Sequence, residues 1–150
     1  METFQCTCAA LRTATRAMTL AYDNAMRPSG LRLTQYSILK RVALLGRPLL
    51  SELAEMLVLD RTTLGRNLRP LERDGLLLTE VGDDRRERLV SITPAGLEAM
   101  ARARPLWQAV HDRMEAKLGA ETSAALRTSM RAVTLAGKEV AAEGLTVVDE

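Results

Sequence analysis

The stretch Asp60-Arg61-Thr62-Thr63-Leu64-Gly65-Arg66-Asn67-Leu68 begins the segment that decides the fold, and this segment continues to Gly96. Asp60 predicts a helix N-cap, because its carboxylate can accept a hydrogen bond from a backbone amide of the first turn. Leu64, Leu68 and Leu71 recur at spacings of four and three, so they should face a core. The segment therefore predicts an amphipathic helix whose exposed face carries arginines.

A charged hairpin is predicted directly after this helix, which Gly75 should end. Residues 76–81 and 88–92 read as two short strands, and the turn between them contains Asp83-Asp84-Arg85-Arg86-Glu87-Arg88. Such a turn is too polar to be buried. A cationic helix with a basic hairpin beside it is typical of a winged helix-turn-helix, which holds duplex DNA with the helix in the major groove and the loop near a minor groove.

Three helices are predicted before Asp60. The first covers about residues 9–27, where apolar residues recur at helical spacing until Pro28-Ser29-Gly30. The second begins after Thr34 as its N-cap and ends at Gly46, which can supply a left-handed stop. The third begins at Ser51, another expected cap. These helices are short and closely linked.

Two longer helices are predicted after the hairpin. Thr93 suits an N-cap and Pro94 suits a first helical position, so a helix should start there and continue to Gly119. The last helix covers about residues 121–143, and residues 146–150 form a loose tail. Long amphipathic helices at both ends of the chain cannot cover their apolar stripes on a small winged core alone, which predicts a helical dimer interface.

Two prolines lie inside the predicted helical patterns. A proline removes one backbone hydrogen bond and clashes with the preceding turn of a helix. We therefore expect a bend or an irregular turn at Pro70 and a kink at Pro105.

The composition limits the class of protein. A chain of 150 residues with 47% hydrophobic content suits one continuous soluble fold, and its net charge of +2 does not by itself indicate a nucleic-acid binder. No apolar run approaches the roughly 20 residues needed to span a bilayer. The N-terminus also lacks the features of a secretory signal. We expect a cytoplasmic protein without membrane contact, with Cys6 and Cys8 as reduced thiols.

The ordered set of motifs resembles the MarR family of bacterial transcriptional regulators. Residues 50–57, 59–64 and 71–76 resemble the DNA-binding core of that family, and Asp84-Arg85-Arg86 with residues 89–96 resembles its wing and the entry to its long dimerisation helix. The resemblance implies a mainly α fold with a small β-hairpin wing, in one unit covering residues 1–150. A winged core at about 32–93 would be flanked by a dimerisation region at about 6–28 and 94–143.

The resemblance also implies a function. Members of the family are obligate homodimers that bind a pseudo-palindromic double-stranded operator, usually as repressors. Two-fold symmetry suggests half-sites about one helical turn, roughly 34 Å, apart. Many members release DNA when a small aromatic or phenolic compound binds between the winged domain and the dimer arm.

Candidate DNA-contacting residues lie on the cationic helix, at the start of the third helix and in the hairpin turn. Arginine can donate to guanine edges or phosphates, asparagine can pair with adenine, and threonine can contact a phosphate or a thymine methyl. Arg86 occupies the place where the family inserts an arginine into the minor groove. The predicted set is Ser51, Arg61, Thr62, Thr63, Arg66, Asn67, Arg85, Arg86 and Arg88.

Two further sets of residues are candidates for regulation, whereas no metal, catalytic or cofactor site is expected. By resemblance, an effector pocket would include Arg16, Met18, Tyr22, Tyr36, Trp107 and His111. Cys6 and Cys8 near a helix start suit a redox sensor, because a helix N-terminus can lower a thiol pKa. A metal site is not expected, since one histidine and one Cys-x-Cys pair do not complete a tetrahedral set. No catalytic motif or cofactor-binding loop is present, so we expect neither an enzyme nor a cofactor.

Two alternative functions remain open at this point. The same scaffold would be a redox-responsive regulator if oxidation of Cys6 or Cys8 controlled it. It would be a protein-interaction module without DNA activity if the charged helix and turn were merely solvated surfaces. Strong salt dependence of duplex binding, and loss of binding on Arg86→Ala, would exclude the second alternative.

Overall fold

A computed structural model describes residues 6–144 of the chain, and over this range the structure is mainly α-helical with one β-hairpin. The helices are α1 (Thr7–Met26), α2 (Leu33–Leu45), α3 (Leu50–Leu57), α4 (Arg61–Arg73), α5 (Pro94–Leu118) and α6 (Ala120–Glu143). A 3₁₀ turn covers Arg27–Ser29, and the strands are β1 (Leu77–Val81) and β2 (Arg88–Ile92). The predicted order of elements is confirmed. The predicted tail at 146–150 lies outside the described residues.

The hairpin is antiparallel and has a third, minimal strand beside it. The register extends from Leu77 opposite Ile92 to Val81 opposite Arg88. Leu49 forms an isolated bridge with Leu89, and the amide of Val90 donates to the carbonyl of Pro48 at 2.9 Å. The connection between α2 and α3 is therefore hydrogen-bonded to the hairpin that follows α4.

Two predicted N-caps were wrong. The N-cap of α2 is Arg32, whose amide donates to the side-chain Oε1 of Gln35 at 3.0 Å, and Thr34 lies inside the helix. The N-cap of α3 is Leu49, whose amide donates to Oε2 of Glu52 at 2.8 Å. In both helices a side-chain acceptor at the third position satisfies the amide of the cap residue, as in one half of a capping box.

Two other predicted caps are confirmed. Asp60 caps α4, and Thr93 precedes Pro94 at the start of α5 with its Oγ1 accepting from the amide of Gly96 at 3.0 Å. The Thr93 hydroxyl also donates to the carbonyl of Gly75 at 2.6 Å. The same threonine therefore begins α5 and ties it to the turn between α4 and β1.

Of the bend or irregular turn expected at Pro70, the irregular turn is absent, since α4 continues as one helix from Arg61 to Arg73. Proline inside a helix costs about 3 kcal/mol. Leu64, Leu68 and Leu71 on the inner face of α4 are at most 2% exposed. Burying each leucine contributes roughly 1.5–3 kcal/mol, so together they outweigh that cost. Pro105 likewise lies inside an unbroken α5.

The core lies under α4 and the hairpin. It takes buried side chains from the end of α1, from α2 and α3, from both strands and from the first turns of α5. The fully buried large residues are Met26, Leu39, Val42, Leu53, Leu64, Leu71, Leu77 and Val90. This core fixes the position of α4 and of the base of the hairpin.

The chain divides into two compact units, with the boundary between Val110 and His111 inside α5. In the second unit α6 carries exposed apolar side chains at Leu126, Val133 and Val140, which recur every seven residues and share one face. Among the described residues, no helix is both long and apolar enough to cross a membrane.

Candidate nucleic-acid interface

The outer face of α4 carries the predicted contact residues. Leu64, Leu68 and Leu71 turn the opposite face into the core, so the helix cannot rotate without exposing them. The exposed residues on the outer face are Arg61, Thr62, Arg66, Asn67 and Arg69, of which Arg69 was not among the predicted contacts. The sequence could have indicated Arg69, because it lies three residues after Arg66 and therefore on the same side of the helix.

Thr63 has a different position from its neighbours. It is half-buried, its amide donates to Asp60 Oδ1 at 2.8 Å, and its hydroxyl donates to Asp60 Oδ2 at 2.6 Å. These hydrogen bonds, the side-chain one first, lower the pKa of the Asp60 carboxyl, while slight desolvation opposes them. Thr63 therefore helps to fix the start of α4, and its hydroxyl hydrogen is already used.

The loop between the strands is held by its own polar groups. The amide of Gly82 donates to the carbonyl of Glu87 at 3.1 Å, and the amide of Glu87 donates to the carbonyl of Asp84 at 2.9 Å. The amide of Arg86 donates to Asp84 Oδ1 at 2.9 Å. Within residues 6–144 the structure gives Asp84 no ion pair, and its carboxylate holds the backbone of the loop.

Acidic side chains at the tip do not all face outward. The Asp84 carboxylate turns back to the backbone, and the Glu87 side chain lies over Gly82, where an added Cβ would be 2.8 Å from Glu87 Cβ. Any larger residue at position 82 would therefore force the Glu87 side chain to shift. Of the three carboxylates that would repel phosphate, that of Asp84 is engaged with the loop itself.

The three arginines of the loop differ in their contacts. Nη1 of Arg88 donates to the carbonyls of Arg85 and Glu87, at 2.8 and 2.9 Å. The side chains of Arg85 and Arg86 are exposed and make no hydrogen bond or ion pair with any residue that the structure describes. Arg85 and Arg86 are thus the cations of the loop that are available to a ligand.

A cavity of about 340 Å³ joins the helix to the hairpin loop. We call it the arginine cavity, and it is lined by Leu49, Leu50, Ser51, Arg61, Arg86, Glu87 and Arg88. It brings together four of the nine predicted DNA contacts, from α3, α4 and the loop. Three guanidinium groups outnumber the single carboxylate of Glu87 around this opening, and with the Ser51 hydroxyl they suit an anion such as a phosphate.

The aromatic residues predicted for the effector pocket lie close together on α1, α2 and α5. Trp107 lies between Tyr22 and Tyr36, with ring centroids 6.3 and 6.1 Å away, and Lys40 Nζ lies 4.8 Å from the centre of a Trp107 ring. Burial raises the pKa of the Tyr36 hydroxyl, and the charge of Arg104 partly opposes that rise.

Two cavities, which we call the aromatic cavities, share Tyr36, Lys40 and Trp107. One of about 390 Å³ is also lined by Leu33, Ser37, Arg41, Leu44 and Met56. The other, of about 630 Å³, is also lined by Leu97, Met100, Ala101, Arg104 and Gln108. Lys40 and Arg104 were not among the predicted pocket residues. Lys40 follows Tyr36 by four residues and Arg104 precedes Trp107 by three, so helical spacing places each beside an aromatic.

The remaining predicted pocket residues do not line these cavities. Arg16 is exposed and donates to Thr13 Oγ1 at 3.2 Å, and Met18 is half-buried on α1. Tyr22 is buried beside Trp107 without lining either cavity, and His111 belongs to the second unit. Cys6 and Cys8 are free, exposed thiols at the N-cap and in the first turn of α1. Between residues 6 and 144 no group of three or more His, Cys, Asp or Glu side chains could hold a metal ion.

Comparison with known proteins relates this geometry to DNA-binding domains. A family model described as a winged helix DNA-binding domain matches residues 33–96, which contain α2 to β2 and the start of α5. No protein with curated function matches the sequence.

Solved structures resemble nearly the whole chain. The M. tuberculosis transcriptional regulator MosR, in complex with DNA, is 36% identical with a TM-score of 0.83, and the match covers 90% of this chain and 98% of MosR. The transcriptional repressor CouR, bound to a 23-mer DNA duplex, is 25% identical with a TM-score of 0.78 over 87% of this chain and 93% of CouR. A mutant of E. coli MarR complexed with operator DNA shares the fold at 21% identity, with a TM-score of 0.75 and coverage of 83% and 90%.

Proposed function

The chain belongs to the MarR family of winged helix-turn-helix transcriptional regulators, and we propose that it is a homodimeric repressor that a small aromatic effector releases from its operator. The observation that carries the DNA-binding part is the arginine cavity, where Arg61 of α4 and Arg86 of the hairpin loop face one opening. Relatives of the same fold, MosR and CouR among them, were solved with DNA.

In this proposal α4 enters the major groove and the hairpin, residues 77–92, is the wing. Arg66 and Asn67 on the exposed face of α4 read base edges, where each good bidentate contact discriminates by about 1–3 kcal/mol. Arg61, Arg85 and Ser51 serve phosphates, and Arg86 enters the minor groove. Thr62 is exposed and suits a phosphate or a thymine methyl. Thr63, bonded to Asp60, acts mainly by fixing the helix start.

Dimerisation is proposed through the helices at the two ends of the chain, residues 6–28 and 94–143. Leu126, Val133 and Val140 form an exposed apolar row along α6, with exposures of 40%, 38% and 50%. Rows of this kind on monomers usually mark an interface. Val133→Glu should convert the dimer to monomer in analytical ultracentrifugation, whereas Arg131→Glu, also an exposed position of α6, serves as the control.

The effector is proposed to bind at the aromatic cavities. Their volumes lie within the range of about 300–1,000 Å³ that is common for small-molecule sites. Tyr36 and Trp107 offer ring faces, while Lys40 and Arg104 offer positive charge. This combination suits an aromatic compound with a carboxylate or phenolate group.

Intrinsic fluorescence tests the effector site directly, because Trp107 is the single tryptophan of the chain. Titration with benzoate and hydroxybenzoates should change Trp107 emission in the wild type, with weaker binding in Arg104→Ala and Lys40→Ala. Benzyl alcohol, which keeps the ring but has no charge, is the matched ligand control. Equal binding of charged and uncharged ligands would reject the proposed anion contacts.

The DNA-binding proposal is tested by selection from a random duplex pool with the purified protein. An inverted repeat should be enriched, and Arg66→Ala and Arg86→Ala should each weaken binding to it. Affinity should also fall steeply as salt concentration rises, because phosphate contacts release counterions. Absence of enrichment at low salt would favour a protein-interaction module instead.

Redox control is a second candidate, favoured by the exposure of Cys6 and Cys8 at the start of α1. In this case hydrogen peroxide would oxidise a thiolate to a sulfenic acid with release of hydroxide. Cys6→Ser and Cys8→Ser should then abolish the loss of DNA binding caused by peroxide, without changing binding under reducing conditions. An unchanged peroxide response in the double variant would exclude this candidate.

A further inference from the structure

The carbonyl of Glu87 is the point at which the wing loop is closed. It accepts one hydrogen bond from the Gly82 amide across the loop and a second from Nη1 of Arg88. The same Nη1 also donates to the carbonyl of Arg85. Since Nη1 has two hydrogens, both are used within the loop.

The two carbonyls belong to the residues on either side of Arg86. Arg85 precedes it and Glu87 follows it, so the Arg88 guanidinium bridges the backbone across this position. The amide of Arg86 itself donates to Asp84 Oδ1. The backbone of Arg86 is therefore held on both sides, while its exposed side chain has no bond to any described residue.

We propose that Arg88 is a positioning residue of the wing, which fixes the loop so that Arg86 is presented to the DNA. This inference rests on the proposed DNA binding, and it assigns to Arg88 a role other than the phosphate contact expected from the sequence. Position 88 is the first residue of β2 and pairs with Val81. The guanidinium is thus anchored to the sheet and reaches back over the loop.

Lysine does not replace arginine in this role. The lysine ammonium has enough hydrogens for two acceptors, but it ends one bond nearer the backbone than Nη1. It is also a more strongly hydrated point charge on a flexible stem, whereas the guanidinium holds its hydrogens in a fixed plane. Arg88→Lys therefore keeps the charge and removes the bridge. A phosphate contact, by contrast, tolerates lysine, because lysine also binds phosphate as a point charge.

The test measures affinity for the selected operator duplex in wild type, Arg88→Lys, Arg88→Ala, Arg86→Ala and the double variant Arg86→Ala/Arg88→Lys. Arg32→Lys makes the same exchange at an exposed position before α2, outside the proposed DNA contacts and the proposed dimerisation helices, and is the control. Arg88→Lys should weaken binding about tenfold, the loss expected when one side chain must be ordered on binding. In the Arg86→Ala background the same exchange should change affinity less than about twofold.

A direct phosphate contact by Arg88 gives a different pattern. Arg88→Lys would then stay within about twofold of wild type, and Arg88→Ala would reduce the slope of log affinity against log salt by about 0.9, with or without Arg86. That pattern would overturn the positioning role.

Amide hydrogen exchange of the DNA-free protein separates the positioning role from the proposed function. Arg88→Lys should accelerate exchange at the Gly82, Arg86 and Glu87 amides and leave α4 unchanged. Unchanged exchange in the loop would reject the role of Arg88, whatever the DNA result. Faster exchange in a protein that selects no duplex would support the loop contact and reject the proposed DNA binding.

Discussion

The recognition helix α4 and the wing are both proposed to contact DNA, but they are held in place by different forces. Three leucines of α4 are buried at no more than 2% exposure, so its outer arginines are oriented by the apolar core beneath them. The wing loop has no such anchor, and its amides, the Asp84 carboxylate and the Arg88 guanidinium hold it instead. Changes under α4 should therefore affect folding, whereas changes in the wing loop should affect binding alone.

The largest loss of stability should follow from a substitution that leaves a cavity beneath α4. Leu64 is fully buried, and Leu64→Ala should lower the free energy of unfolding by about 2–5 kcal/mol. Urea denaturation measures this loss. Leu44→Ala removes the same atoms from a side chain that is 81% exposed and should change stability by less than about 0.5 kcal/mol. Equal losses in both variants would show that α4 is not anchored by the core.

A smaller loss is expected at the base of the wing. A Cβ at Gly96 would lie 2.2 Å from the carbonyl oxygen of Leu76 and 2.7 Å from Ile92 Cγ1. Gly96→Ala should therefore destabilise the protein by about 1–3 kcal/mol, because backbone must move to make room.

Gly65, inside α4, provides the matched comparison for Gly96. A Cβ there would meet nothing within 4 Å. Gly65→Ala should stabilise the helix by about 0.5–1 kcal/mol, since alanine loses less conformational entropy than glycine. Thermal denaturation of both variants should show shifts of opposite sign, and a stable Gly96→Ala variant would contradict the close packing at the foot of the wing.

The Asp60 cap of α4 should make the free energy of unfolding depend on pH. Hydrogen bonds from Thr63 lower the pKa of Asp60 in the folded state. The cap is therefore present above the unfolded pKa, near 3.9, and is lost as pH falls through the lower folded value. The stability difference between wild type and Asp60→Ala should shrink below about pH 4. Asparagine caps a helix without titrating, so the difference in unfolding free energy between Asp60→Asn and Asp60→Ala should stay constant with pH.

The smallest effect is expected in the turn that leads into α4. Val58 has φ 54° and ψ 46°, a left-handed conformation that is unfavourable for a β-branched residue. Val58→Asn should raise stability by up to about 1 kcal/mol, because asparagine tolerates this conformation. Val58→Ile, equally branched, should leave it unchanged within about 0.5 kcal/mol. A destabilised Val58→Asn variant would mean that the valine side chain makes a contact that compensates for its backbone.

The sequence predicted the elements of α4 and the wing well, because leucine spacing and strand pattern are local signals. It failed at the N-caps of α2 and α3, where Gln35 and Glu52 satisfy the cap amides from the third position. Both acceptors were visible in the sequence. Thr34 and Ser51 are polar but lie inside the helices, and the acceptor three residues after each true cap is the signal that marks the start.

Tertiary contacts were the harder part of the site. Tyr22, Tyr36 and Trp107 do gather, as the family resemblance implied, but Arg16, Met18 and Tyr22 line neither aromatic cavity. The charged side chains that line them are Lys40, Arg41 and Arg104. Helical spacing places Lys40 beside Tyr36 and Arg104 beside Trp107, but only the packing of α2 beside α5 brings the two pairs together. In the wing, sequence alone could not separate Arg86 from Arg88. Their difference lies in two hydrogen bonds to backbone carbonyls.

The most direct test of the central claim measures stability and operator affinity together in Arg66→Ala, Arg86→Ala and Leu64→Ala. We predict that both arginine variants keep the unfolding free energy of wild type within about 0.5 kcal/mol. Each should lose about tenfold or more in affinity for the selected inverted repeat. Leu64→Ala should instead lose stability first. Wild-type affinity in both arginine variants would contradict the account that α4 and the wing bind DNA through these side chains.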